Sequence, residues 1–174
     1  MSSLKLTLRS WPVIALATIG LCYLTQTVAK LFGIELPDQE NIEIVKRYAG
    51  WNWNFAFLCL QVLILMPAIE ELVFRYLLWR LPTRALAKGR ETEDGRRTIV
   101  AGAMAVASSI LFSAAHYIFQ PWPDAAFIAL FFFGLAQCWL YKKTGHLWCA
   151  ILNHGLFNLT NLILIFILPE SWQT

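Results

Sequence analysis

Residues 67–75 read PAIEELVFR and lie within an apolar block that runs from residue 53 to residue 79. Three ionisable side chains, Glu70, Glu71 and Arg75, fall within six residues of this block. Ionisable groups are costly inside a membrane, and they are retained there mainly where they face a protein interior and serve pairing, transport or chemistry. This short cluster therefore predicts a buried polar site inside a membrane helix.

The composition indicates an integral membrane protein. Of the 174 residues, 58% are hydrophobic and 14% are charged, whereas soluble domains are nearer half apolar and a quarter charged. The apolar residues fall in five blocks, each close to the roughly 20 residues that a helix needs to cross a bilayer: residues 11–29, 53–79, 98–119, 125–141 and 147–168. The sequence predicts an all-α polytopic membrane protein, a bundle of about five transmembrane helices forming a single membrane domain over residues 1–174.

The first apolar block has a second interpretation, as the hydrophobic part of a signal peptide. It follows Lys5 and Arg9 and ends in the small residues Thr27, Val28 and Ala29. The block is long for a signal peptide and long enough to cross a bilayer. We therefore expect an uncleaved first helix.

The distribution of charge predicts the orientation in the membrane. If the helices alternate in direction, most of the basic residues, including a cluster between Arg80 and Arg97, fall on one side. Cytoplasmic loops carry the excess of Lys and Arg, so this side and the N-terminus are predicted to be cytoplasmic. The cluster has no interleaved aromatic residues and also contains acidic ones, so a lipid bilayer is the expected partner and no nucleic acid is predicted.

Cysteine and tryptophan usage agrees with this class. The four cysteines lie in apolar segments without CxxC spacing, so neither a disulfide framework nor a zinc ribbon is expected. Tryptophans near helix ends are typical of the membrane interface, and we expect none of them in a ligand site. The tryptophans near predicted helix ends are Trp51, Trp53, Trp79, Trp122, Trp148 and Trp172.

Spacing distinguishes the roles of the two glutamates. Glu71 and Arg75 are four residues apart, so they can pair on one helix face and neutralise each other. Glu70 is about 100° around the helix from Glu71 and has no partner at that spacing. A buried carboxylate without a partner accepts a proton readily, as a general base must. Pro67 predicts a kink and a second helix that begins near it, with both glutamates in the first turn of that helix, where free N–H groups favour negative charge.

Further polar residues lie in the later blocks. His116 ends the third block after a run of small residues, which would let another helix approach closely. His154 and Asn158 are four residues apart on one face of the fifth block, and Asn161 continues that face. Each has a structural interpretation, as a hydrogen-bonded bundle histidine or an asparagine that joins helices. Polar residues on three separate helices nevertheless favour a functional site.

Three motifs carry a resemblance to a known family. In chain order they are Glu70-Glu71-x-x-x-Arg75, Phe112-x-x-x-His116 and His154-x-x-x-Asn158. Their order and spacing resemble those of the CAAX protease and bacteriocin-processing enzyme family, also called CPBP or Abi. Three motifs in order on predicted membrane helices are a far more specific signal than any one of them. The resemblance covers a protease-like core of about residues 67–161, and the length resembles that of short bacterial members.

The resemblance implies an intramembrane endopeptidase that cuts a membrane-anchored protein or peptide in the inner membrane of a bacterium. It implies that Glu70 activates water, that His116 holds or activates the same water, and that the last motif stabilises the oxyanion through His154 and Asn158. These roles agree with elementary chemistry, because a base must reach its water and donors must point at the developing charge. Glu71 and Arg75 would support the site.

Zinc is the alternative to a metal-free reaction. Glu70, His116 and His154 could form a two-histidine, one-carboxylate zinc site with an open position. The sequence lacks HExxH, and no second carboxylate is evident beside either histidine. We therefore favour a glutamate mechanism without a metal or other cofactor, and zinc stays the alternative.

Two other functions stay open. The chain could be a non-catalytic immunity or binding protein of the same family, in which the polar cluster is structural. It could also be a proton-coupled transporter or a metal carrier, since Glu and His serve as relay residues, although it lacks the two-fold internal similarity common in transporters. With about five crossings it could lack part of a substrate cleft, which a second copy of the chain, another partner or the substrate would complete.

Overall fold

The computed structural model describes residues 2–36, 40–50, 52–87, 94–118 and 125–168. The regular structure of these residues is helical, and no strand occurs among them. Part of the basic cluster, residues 88–93, lies outside these ranges. The α-helices are α1 (Ser3–Leu31), α2 (Glu40–Tyr48), α3 (Trp53–Leu60), α4 (Met66–Glu70), α5 (Leu81–Ala87), α6 (Asp94–Ala115), α7 (Ala126–Thr144) and α8 (Leu147–Ile167).

The second apolar block forms one continuous helical span, Trp53–Leu86, which we call the second span. A first π-helical segment, Gln61–Leu65, joins α3 to α4, and a second, Glu71–Arg80, joins α4 to α5. π-Helical turns are rare and occur frequently at functional sites. The two glutamates lie where the second π segment begins.

Pro67 does not break the second span. The backbone before it takes the π register, in which Met66 donates its N–H to the carbonyl of Gln61, five residues earlier. This shift by one residue accommodates the proline without ending the helix. The α-helical segment α4 does begin at Met66, beside Pro67, as predicted. The span is nevertheless continuous, so Glu70 and Glu71 lie inside it rather than at a free helix N-terminus.

Four helices of the described residues are long and apolar enough to cross a membrane: Ser3–Leu31, Trp53–Leu86, Thr98–Ile118 and Leu147–Ile167. α7 is not among them, because Gln137, Lys142 and Lys143 lower its mean hydropathy. α7 packs against α1, α6, α8 and the second π segment, and a helix enclosed by protein can carry polar residues that face the bundle interior. The predicted all-α polytopic membrane bundle is confirmed, with four spans by this criterion and α7 enclosed among them.

Trp79 lies in the core and not at the membrane interface, so that prediction is wrong. It is almost fully buried in a cluster with side chains of α7 and α8, and its Nε1 donates to the carbonyl of Ala101 at 3.0 Å. The position differs because the second span continues beyond Trp79 to Leu86. Trp53 and Trp148 are exposed, and the remaining three of the predicted belt, Trp51, Trp122 and Trp172, lie outside the described residues.

A tight turn joins α7 to α8. Gly145 has a φ of 74°, in the left-handed region, and its N–H donates to the carbonyl of Tyr141 at 2.9 Å. Glycine is the residue that adopts this helix-ending conformation at least cost. The turn returns the chain antiparallel to α7 and brings Phe133 of α7 beside His154 of α8.

Candidate active site

Glu71 and Arg75 form a fully buried ion pair inside the second span. Nε of Arg75 lies 3.1 Å from Oε2 of Glu71, and neither side chain has exposed surface. Cζ of Arg75 lies 4.2 Å from the centroid of the Phe112 ring, which is a cation–π distance. The predicted pairing of Glu71 with Arg75 is confirmed, and an aromatic ring of α6 covers its positive end.

His154 of α8 bridges the two glutamates. Its Nδ1 lies 2.9 Å from Oε1 of Glu71, and its Nε2 lies 3.6 Å from Oε2 of Glu70. The imidazole is buried, and it lies edge-on to the rings of Phe133 and Phe112. The expectation that no second carboxylate lies beside either histidine is therefore wrong. Glu71 contacts His154 as well as Arg75.

Glu70 presents the accessible carboxylate of the pair. Its side chain is 20% exposed, whereas the side chain of Glu71 is fully buried. The structure places no cation at the i,i+4 spacing from Glu70, as the sequence predicts. The group next to it, His154, comes from another helix. Glu70 is therefore the carboxylate that a water molecule or a substrate can reach.

His116 lies at the end of α6, at the start of the 3₁₀ turn His116–Ile118. Its Nδ1 donates to the carbonyl of Phe112 at 2.9 Å, so in the neutral ring Nε2 carries the lone pair. The imidazole lies edge-on to the Phe112 ring with centroids 4.8 Å apart, and His154 contacts the same ring at 5.9 Å. Phe112 is thus the shared neighbour that connects His116 to the cluster.

Asn158 lies one turn beyond His154 on α8. Its Nδ2 donates to the backbone carbonyl of Val62 at 2.8 Å. His154 and Asn158 therefore both face the second span, which confirms the shared face that the sequence predicts. An amide nitrogen carries two N–H bonds, and this contact uses one of them.

A comparison with family models matches residues 52–160 to the type II CAAX prenyl endopeptidases, Rce1-like. The match covers more than half of the chain and includes all three motifs. The chain belongs to this Rce1-like family. The resemblance drawn from the motifs is confirmed, and membership implies a membrane protease family with membrane-anchored protein substrates. Neither the curated proteins nor the solved structures give a match.

The zinc alternative requires three ligands that meet at one point of this Rce1-like chain. Within the ranges that the structure describes, no three His, Cys, Asp or Glu side chains form a group that could hold a metal ion. Glu70, His116 and His154 are among these residues. Glu70 and His154 lie together, whereas His116 contacts the ring of Phe112 that His154 also contacts.

Two buried amides beside the site were not predicted. Gln137 of α7 donates from Nε2 to Oδ1 of Asn153 at 3.0 Å, and both side chains are fully buried. Asn153 directly precedes His154 in α8. A signal existed, because Gln137 is a lone amide in a long apolar run, and such residues in membrane helices face the bundle interior. No comparable signal separates Phe112 or Phe133 from the other phenylalanines.

Proposed function

We propose that this Rce1-like chain is an intramembrane endopeptidase in which Glu70 activates the water that hydrolyses a peptide bond of a membrane-anchored substrate. The observation that supports this most is the placement of His154 between two carboxylates of different exposure. The fully buried Glu71 holds Nδ1, and the partly exposed Glu70 lies 3.6 Å from Nε2. One carboxylate orients the imidazole, and the other is left to act on water.

The two ring nitrogens of His154 face the two carboxylates. Nδ1 lies 2.9 Å from Oε1 of Glu71, and Nε2 lies 3.6 Å from Oε2 of Glu70. Arg75 lies beside Glu71 in the same buried cluster. A carboxylate oxygen accepts hydrogen bonds, so a ring with an N–H on each nitrogen gives a donor to both glutamates.

Hydrolysis adds one water molecule across the peptide bond. Glu70 takes a proton from the water, which also donates a hydrogen bond to Nε2 of His116, and the water oxygen bonds to the scissile carbonyl carbon. Nε2–H of His154 and the second N–H of Asn158 stabilise the oxyanion. The tetrahedral intermediate collapses, the C–N bond breaks, and Glu70 gives its proton to the leaving nitrogen.

The setting of the reaction follows from the fold and the charge distribution. The site lies among apolar helices, so a substrate must itself reside in or be anchored to the bilayer. A CAAX-type lipidated C-terminus and a C-terminal membrane anchor both meet this requirement. We place the chain in the inner membrane of a bacterium with its N-terminus in the cytoplasm, in accord with the positive-inside rule.

Glu70→Gln tests the assignment of the base. The purified protein is reconstituted in liposomes and given two fluorogenic substrates, a farnesylated CAAX peptide and a single-pass membrane peptide. We expect the wild type to cleave at least one of them. Glu70→Gln should lower cleavage by about 10²–10⁴-fold, the usual contribution of acid–base catalysis, because an amide does not accept the proton.

The matched control is Glu43→Gln, which removes an exposed carboxylate of α2 and should cleave at the wild-type rate. Thermal unfolding of all three proteins shows whether each variant is folded. Wild-type cleavage by folded Glu70→Gln would exclude Glu70 as the base. A wild type that cleaves neither substrate, together with full bacteriocin protection by Glu70→Gln in cells, would favour the immunity or binding function.

A further inference from the structure

The backbone just before Pro67 lacks one hydrogen-bond donor. In the π register of this segment, Met66 donates its N–H to the carbonyl of Gln61. The next donor in the same register would be residue 67, for the carbonyl of Val62, but proline has no N–H. Inside a membrane no water is present to bond a backbone carbonyl, so its hydrogen-bond partner must come from the protein. The segment therefore needs a donor from another element.

α8 supplies that donor, and it also approaches the neighbouring carbonyl closely. Nδ2 of Asn158 donates to the carbonyl of Val62 at 2.8 Å. One turn earlier, Gly155 lies directly against the carbonyl of Leu63, where a Cβ would clash with the backbone oxygen. The two residues are three apart on one face of α8. Asn158 and Gly155 therefore contact two consecutive carbonyls of the second span, those of Val62 and Leu63.

These two contacts lie close to the candidate site along both helices. Glu70 follows Pro67 by three residues, and His154 directly precedes Gly155. α8 packs against the second span along the first π segment, α4 and the second π segment. A displacement of the span from α8 would therefore change the separation of Glu70 from His154.

We propose that Asn158 is a positioning residue whose amide replaces the backbone hydrogen bond lost at Pro67, and that Gly155 is required for the same approach. This role accompanies the oxyanion contact assigned above, which uses the other N–H. The consequence for catalysis rests on the proposed function. The contact itself is tested without a substrate, so failure of hydrolysis and failure of this inference can be told apart.

A double-mutant cycle between Asn158→Leu and Pro67→Ala tests the replacement. Asn158→Leu should lower the Tm of the reconstituted protein by about 2–4 °C, the effect of one lost hydrogen bond in a chain of this size. Pro67→Ala restores a backbone N–H at residue 67. In the Pro67→Ala background, Asn158→Leu should therefore lower the Tm by less than about half of its effect in the wild-type background. Asn161→Leu, a partly buried control on the same helix, should show no such dependence on residue 67.

An equal Tm loss in both backgrounds, or none in either, would overturn the proposal. The cleavage assay adds a second readout, because Pro67→Ala should recover part of the kcat that Asn158→Leu loses. A residue that acts on the oxyanion alone would leave the Tm unchanged and would gain no recovery from Pro67→Ala.

Cys59 gives a measurement that does not depend on the proline variant. It lies on α3, one turn before Val62, and is partly buried. Asn158→Leu and Gly155→Ala should each raise its alkylation rate by N-ethylmaleimide several-fold, as followed by mass spectrometry. Gly102→Ala, where a Cβ meets no atom within 4 Å, should leave the rate unchanged. Wild-type reactivity of Cys59 in both α8 variants would contradict the inference.

Discussion

Nδ1 of His154 lies 2.9 Å from the carboxylate of Glu71, a residue 83 positions earlier in the chain. The same carboxylate lies 3.1 Å from Nε of Arg75. One buried group thus holds a cation of its own helix and an imidazole of α8. The orientation of the candidate catalytic histidine and the stability of the second span therefore depend on a single side chain.

Glu71→Gln should destabilise the fold and abolish cleavage. Removing one partner of a buried ion pair leaves the other charge uncompensated, at a cost of about 3–5 kcal/mol. Thermal unfolding in detergent measures the loss, and cleavage is assayed at a temperature where the variant is still folded. Glu43→Gln on the exposed face of α2 is the control. A change in stability below about 0.5 kcal/mol, the range of ordinary surface substitutions, would contradict a buried role for Glu71.

Joint replacement of the ion pair should separate stability from activity. Glu71→Leu together with Arg75→Met leaves no buried charge of that pair without a partner, and such replacements are often neutral in stability. We expect the double variant to unfold close to the wild-type temperature but to have lost cleavage, because His154 has lost the carboxylate that orients it. Retained cleavage in a stable double variant would show that Glu71 does not position the imidazole.

Gln137 and Asn153 should be energetically coupled. Gln137→Leu or Asn153→Leu alone leaves a buried amide without its partner, which costs about 1–3 kcal/mol. The double substitution removes both amides and should recover part of that loss, with a coupling energy of about 0.5–3 kcal/mol. Thermal unfolding of the four proteins measures it. Strictly additive losses would mean that the 3.0 Å contact between the amides contributes nothing.

Gly134→Ala should weaken the packing of α7 on α6, whereas Gly102→Ala should not. A Cβ at Gly134 would lie 2.9 Å from both Cβ and Oγ of Ser109, so the helices must separate at a cost of about 1–3 kcal/mol. A Cβ at Gly102 meets no atom within 4 Å, and alanine is the better helix former. Relative to wild type, the free energy of unfolding should therefore decrease in Gly134→Ala and stay equal or increase in Gly102→Ala. A similar decrease in both variants would refute the packing argument.

Metal chelation should leave cleavage unchanged within about twofold. The reason is geometric, because the described residues hold no group of three ligands for a metal ion, and open catalytic zinc sites usually have three protein ligands. Cleavage is measured after dialysis against 1,10-phenanthroline and again after zinc is returned. Loss of activity with the chelator and its recovery with zinc would establish the metal alternative.

The sequence predicts the membrane fold well because apolar blocks and i,i+4 spacing are local properties of the chain. The Glu71–Arg75 pair and the shared face of His154 and Asn158 are of this kind. The contact between Glu71 and His154 is different, because its partners lie on separate helices whose relative rotation no local pattern records. For that reason the sequence shows one partner of Glu71 and misses the other.

The continuity of the helix through Pro67 has a different physical origin. Proline is expected to end an α-helix because it lacks the N–H and clashes with the preceding turn. A shift to the π register avoids the clash, and an amide of a neighbouring helix provides the missing donor. Tertiary contacts thus override a local preference, which sequence periodicity alone does not reveal.

The two-residue turn at Gly145 bears on how the chain enters the membrane during synthesis. α7 carries Gln137 and ends in two lysines, so it partitions into lipid less readily than the more apolar α8 that follows it. The tight turn and the amide contact between these helices favour their insertion together as a hairpin, with each shielding the other. A ribosome-bound chain that stops before α8 should therefore leave α7 poorly integrated into the membrane. Insertion of the α7–α8 hairpin would also bring His154 to the polar cluster.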